Sequence, residues 1–120
     1  MFDLFQQRLL EIKGDKTWNE VVVFLGYNGE DKIEHVSADI RKVFRGSLPT
    51  VPNIILCRSL FTDEEFVEIL DYKVRDGVSD KFMKMYDNFF DANPELKKIR
   101  SNIRKMKRKA WLEIAYKEGV

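Results

Sequence analysis

Residues 17–26, TWNEVVVFLG, decide between an all-helical chain and a mixed one. Val21-Val22-Val23-Phe24 is β-branched and aromatic, the composition a buried strand favours. The flanks argue the other way. Thr17 stands three residues ahead of Glu20, the spacing of a capping box, in which hydroxyl and carboxylate each accept the other residue's backbone N–H. Gly26 follows Leu25 at the place where helices end in a left-handed residue. Trp18, Val21, Val22 and Leu25 then share one helical face. The helix reading is preferred, and with it an all-α fold.

The same periodicity recurs on both sides. Phe2, Phe5, Leu9 and Ile12 predict a first helix, ended by Gly14 and Asp15. Tyr27-Asn28-Gly29 is turn chemistry, and Ile33, Val36, Ile40 and Val43 or Phe44 supply the inner face of a third helix. GSLPTVPN, residues 46–53, carries two prolines and no helical pattern, so it reads as a loop. Ile54–Cys57 is either a brief strand or the start of a buried turn. Thr62 and Glu65 form a second capping box, with Asp63, Glu64 and Glu65 at the positive end of the helix dipole. Phe66, Ile69, Leu70 and Val74 are its buried face, and Gly77 closes it.

Ser79 or Asp80 caps a further helix bearing Phe82, Met85, Tyr86, Phe89 and Phe90. Asn93 caps the last, with Pro94 at its first position, where a missing N–H costs nothing. That helix is predicted to run to about Lys117. Leu96, Ile99, Ile103, Met106 and Ala110 form a narrow 3-4-3-4 seam, suited to one neighbour or to a homo-oligomer built on residues 96–110. The expectation is a compact bundle of five to six helices. It forms a single domain over 1–120, with one half at 1–46, a loop at 47–61 and a helical half at 62–120.

A chain of 120 residues suits one core rather than two. With 44% hydrophobic residues it is too apolar for a disordered chain. No apolar run approaches the roughly 20 residues that span a bilayer, so no membrane partner is expected. MFDLFQQRLL has an early acid and no small-residue cleavage site, unlike a secretory signal. The single cysteine, Cys57, cannot form an internal disulfide, and a cytoplasmic location is expected.

The net charge of +1 hides a dipole. Residues 1–61 balance at eight Lys/Arg against eight Asp/Glu. Residues 62–93 hold four against nine, and residues 94–120 hold nine against three. Lys97, Lys98, Arg100, Arg104, Lys105, Lys107, Arg108 and Lys109 crowd the last helix, with acids almost absent between Glu95 and Glu113. Intrahelical pairs cannot neutralise that run. Its counter-charge is either the acidic helices of residues 62–91 or an outside anion, for which DNA or RNA phosphate is the natural candidate. Trp111, Leu112 and Ile114 make only a modest apolar end, too little for a membrane-surface helix.

Catalysis finds little support. One histidine, His35, and one cysteine cannot build a Cys/His zinc site. His35 reads as a surface side chain and Cys57 as a small buried hydrophobe. The six glycines are dispersed, so no phosphate-cradling loop appears. Asp63, Glu64, Glu65, Glu68 and Asp71 read as helix-terminal acids rather than a metal site. No enzyme activity, cofactor or metal is expected.

Thr17 to Arg45 reads as helix, glycine turn, helix, and resembles the helix-turn-helix motif of DNA-binding proteins. Val22, Gly26, Ile33 and Val36 take the parts of its packing residues and turn glycine, with Ile33 one residue later than the usual spacing. The resemblance covers about a quarter of the chain. It implies that Lys32 through Arg45 is a recognition helix in the major groove, with Lys32, Arg41, Lys42 and Arg45 toward DNA. Glu34 and Asp39 oppose such a contact. Arg104, Lys105 and Arg108 complete the expected nucleic-acid-binding set from the C-terminal helix. The function expected is that of a small regulator, or a DNA-recognition or packaging subunit of a phage or mobile element. The alternative is a protein-interaction module, an adaptor or an inhibitor of a larger enzyme, that meets an acidic or otherwise charged protein partner.

Overall fold

The computed structural model describes residues 2–117, with side chains described through Ala110 and at Leu112. Seven α-helices follow one another: α1 (Phe2–Lys13), α2 (Trp18–Phe24), α3 (Ile33–Ile40), α4 (Val51–Leu56), α5 (Asp63–Asp76), α6 (Asp80–Ala92) and α7 (Pro94–Lys117). Two 3-10 turns, Arg41–Arg45 and Arg58–Leu60, complete the path, and no strand occurs among the described residues. Among the described residues no helix is long and apolar enough to cross a membrane.

VVVF is helical. The Glu20 N–H donates to Thr17 Oγ1 at 3.2 Å, and the Thr17 N–H to Glu20 Oε1 at 3.4 Å. At the other end Gly26, at φ +93°, lets the Tyr27 N–H reach back to Val22 O and its own N–H to Val23 O. These bonds satisfy carbonyls that a helix end otherwise leaves open. The box at Thr62 and Glu65 starts α5 in the same way, at 2.8 and 3.2 Å.

Three expectations are corrected. The bundle has seven α-helices rather than five to six, because the segment read as the loop 47–61 holds one of them. In α4, Pro52 occupies the first turn, where its missing N–H is no loss. Six residues are too few to show a period, so two prolines masked a helix whose Val51 and Ile54, with Cys57 after it, are fully buried. Second, the third helix stops at Ile40, and Arg41–Arg45 continues as a 3-10 turn. At three residues per turn, Val43 lies under Ile40 and stays on the core side. Third, Asn93 does not cap α7 with its side chain. Its Nδ2 turns back to Phe89 O at 2.7 Å and closes α6.

One core serves the chain. Phe5 and Leu9 of α1, Val36 and Ile40 of α3, Ile54 of α4, Phe66 and Leu70 of α5, Phe90 of α6 and Leu96 of α7 all belong to it. α1 joins the two halves directly: Gln6 Nε2 donates to Val43 O at 2.8 Å in the first, and Arg8 Nη2 lies 3.3 Å from Glu65 Oε2 in the second. Phe5 meets Phe61 edge-on at 4.9 Å between centroids.

Asp39 holds α4 in place. Read from the sequence as an outward carboxylate, it is instead buried. Its Oδ2 accepts from the Thr50 N–H and Oγ1, both at 2.8 Å, and from Asn53 Nδ2 at 2.7 Å. A carboxylate from α3 thus takes over the capping of α4, which has no side-chain cap of its own.

Candidate nucleic-acid interface

α7 is divided lengthwise by what its side chains meet. Leu96 is buried, and Ile99 and Ile103 are half-buried against the core, so the first part of the seam is filled from within by α5 and α6. Beyond Ile103 the seam opens to solvent, with Met106 at 70% exposure. Trp111 and Ile114, expected at the apolar end, have side chains outside the described residues.

Four of the eight cations turn toward the body. Arg104 Nε lies 3.3 Å from Asp71 Oδ2 and its Nη2 3.4 Å from Oδ1, a fork on a carboxylate that is nearly buried. The Tyr86 hydroxyl donates to the same Asp71 and accepts from Arg100 and Arg104 at 3.1 and 3.3 Å. Arg100 also lies 4.2 Å over the Phe90 ring, a cation–π contact. Lys107 faces Glu68 at 3.8 Å and Lys97 faces Asp91 at 3.1 Å, both exposed pairs worth little each. Burial, followed by the bond to Asp71, raises the Tyr86 pKa, so the phenol stays a donor.

The others turn away. Lys98 and Lys105 are seven residues apart, about 20° on a helix, so they lie on one line. Arg108 and Lys109 stand to either side of it. All four are exposed, and Lys98, Lys105 and Arg108 have no ion pair among the described residues. Lys98 is the member of this line that the expected site left out. Its spacing to Lys105 was readable once the inner side of the helix was known.

The N-terminal candidates form a second group. Lys32 is exposed just before α3. Arg41 is exposed, with Nε on Ser37 O at 3.3 Å, and Lys42 is paired with Asp39 Oδ1 at 3.0 Å. Arg45 is exposed one residue after Phe44, which is 37% exposed. Arg41, Phe44 and Arg45 therefore border one shallow hollow with Ala38. Two guanidinium groups around an aromatic ring suit phosphate contact with base stacking. The seven expected residues are not one surface: α7 packs on α5 and α6, whereas the Arg41–Arg45 turn packs on α1 and α3. The α2–α3 connector spans eight residues, 25–32, against the roughly three or four of the helix-turn-helix motif.

Other candidate chemistry is accounted for. The acids of α5 diverge, with Glu65 on Thr62 and Arg8, Glu68 toward Lys107 and Asp71 toward Tyr86. No group of three His, Cys, Asp or Glu side chains converges among the described residues. A cleft of about 570 Å³ between the 26–31 connector, α3, α4 and α6 is lined by Tyr27, His35, Ile55, Phe82 and Met85, and by an Asp39 already committed to its own donors. Burial, aided by the Asp39 charge, pushes the Cys57 thiol up to about 12. A thiol reagent is therefore expected to label Cys57 at least about 100-fold more slowly in native buffer than in urea. Prompt native labelling would show that α4 opens freely.

No family model matches the chain, and comparison with curated proteins and with solved structures finds no match.

Proposed function

We propose that the protein binds nucleic acid, duplex DNA in the first instance, through phosphate contacts along the outer side of α7. The observation that supports this reading is the division of α7: inward, Lys97, Arg104 and Lys107 face acids of the fold and Arg100 lies on Tyr86 and Phe90, whereas Lys98, Lys105 and Arg108 meet no acid among the described residues. Such a row gains most by releasing the counterions of a polyanion. Arg41, Phe44 and Arg45 supply a second contact, and the α2–α3 pair is a helix-turn-helix variant with a lengthened connector. A small regulator, or a recognition or packaging subunit of a phage or mobile element, is the class proposed. Small size and concentrated positive charge support that class by analogy.

The test is fluorescence anisotropy with random duplex DNA. With about four phosphate contacts, micromolar binding at roughly 50 mM salt is expected to weaken on the order of 100-fold by roughly 200 mM. The triple variant Lys98→Glu, Lys105→Glu, Arg108→Glu is expected to lose binding, and Arg41→Glu with Arg45→Glu to weaken it. Absence of binding at low salt would sink the proposal. It would favour an acidic protein on the same cations, with the chain acting as adaptor or inhibitor.

A further inference from the structure

The two most exposed large apolar side chains among the described residues are Met106, at 70%, and Phe24, at 63%. They sit on surfaces of opposite shape. Phe24, with Val23 and Ile33, lines a groove of about 470 Å³ between α2 and α3. Met106, with Ala110 one turn on, is an exposed ridge at the open end of the α7 seam. Their borders differ in charge. Glu20 and Glu34 line the groove beside one cation, Lys16, which lies 4.8 Å over the Phe24 ring, whereas Lys109 and Lys107, the latter also facing Glu68, flank the ridge at about 80° to either side of its midline.

We propose that the Met106–Ala110 ridge of one copy seats in the α2–α3 groove of a second copy. A symmetric pairing of two ridges is disfavoured, because Leu96, Ile99 and Ile103 are already used inside the chain and two residues are too short for a coiled-coil seam. The groove and the ridge also belong to elements that do not pack together within one copy, since α7 packs on α5 and α6 and α2 on α1 and α3. Ridge into groove is a head-to-tail contact, which leaves a free groove at one end and a free ridge at the other and so builds chains longer than a dimer, open unless the rotation closes them into a ring. The Lys98–Lys105–Arg108 side lies away from the ridge. A chain of copies would therefore present one basic row after another, and binding to a long polyanion would be cooperative.

Sedimentation of the full-length protein without nucleic acid tests this, so failure of the DNA reading leaves it untouched. A weak contact, with a dissociation constant on the order of 100 µM, predicts a weight-average mass that climbs past the dimer as concentration rises. Phe24→Glu blocks only the groove and Met106→Glu only the ridge, so each alone is expected to stay monomeric. Mixed together they are expected to form a dimer, twofold in mass, and to stop there. Both side chains are exposed, and far-ultraviolet circular dichroism checks the fold. If Phe24→Glu disturbs it, Glu34→Lys replaces it, with association restored by a partner carrying Lys109→Glu. A wild-type monomer at all concentrations overturns the proposal. So does a mixture that stays monomeric, or a Phe24→Glu variant that still associates while Met106→Glu does not, which would mean ridge-to-ridge pairing.

Discussion

Asp39→Ala is expected to lower the free energy of unfolding by about 3 kcal/mol, measured by urea denaturation near neutral pH. The carboxylate accepts from the Thr50 N–H, the Thr50 hydroxyl and the Asn53 amide, and pairs with Lys42. Alanine leaves an N–H and an amide without partners at the entrance to α4, whose Val51 and Ile54 are in the core. For a domain of ordinary stability that is a large fraction of the total.

The same group predicts a pH dependence. Burial alone would raise the Asp39 pKa. The Asn53 amide, the Thr50 N–H, Lys42 and the Thr50 hydroxyl together outweigh burial and hold it below the ordinary 3.8. Because the folded value is the lower one, its stabilisation is complete above the unfolded value and is lost as pH falls through the folded one. Wild type is thus expected to lose stability on acidification below about pH 4, and Asp39→Ala to lose less over that range. Equal acid slopes in the two proteins would show that Asp39 is not the group responsible.

Asp71→Ala is expected to cost about 2–3 kcal/mol and to act on α7. Asp71 is the acid around which Tyr86, Arg100 and Arg104 are arranged. Without it the Tyr86 hydroxyl loses its acceptor, and the cations of α7 lose a nearly buried charge that opposes their repulsion. Amide hydrogen exchange is expected to quicken along α7 more than along α1 or α5. Asp71→Asn, which keeps an acceptor and removes the charge, is expected to fall between. A uniform change in exchange would instead assign Asp71 to global stability alone.

Much of the helical layout was legible because caps and periods are local. Thr17 with Glu20, Thr62 with Glu65, and the apolar spacings of α1, α5 and α6 each act within a few residues, and each appears in the structure where the spacing places it, save that Met85 of α6 is exposed and Val67 of α5 is buried. What failed was either too short or set by distant partners. α4 has no room for a period, and its cap comes from Asp39, eleven residues before Thr50. The exposed Val23 and Phe24 were readable in principle. Five consecutive apolar residues, Val21 to Leu25, sweep more than a full helical turn, so some must face outward. Which ones depended on where α1 and α3 lie.

The amino-acid sequence by itself determined the mainly helical character, the capping boxes, the charge asymmetry and the concentration of cations in α7, since these follow from residue types and their spacing along one helix. Only the tertiary structure decided how those cations divide. Asp71 and Glu68, more than thirty residues earlier, claim Arg104 and Lys107, whereas Lys98, Lys105 and Arg108 meet no acid among the described residues. Ion pairing falls steeply with distance and is screened by solvent. Which acid reaches which cation is therefore settled by the packing of α5 and α6 against α7, and not by order along the chain.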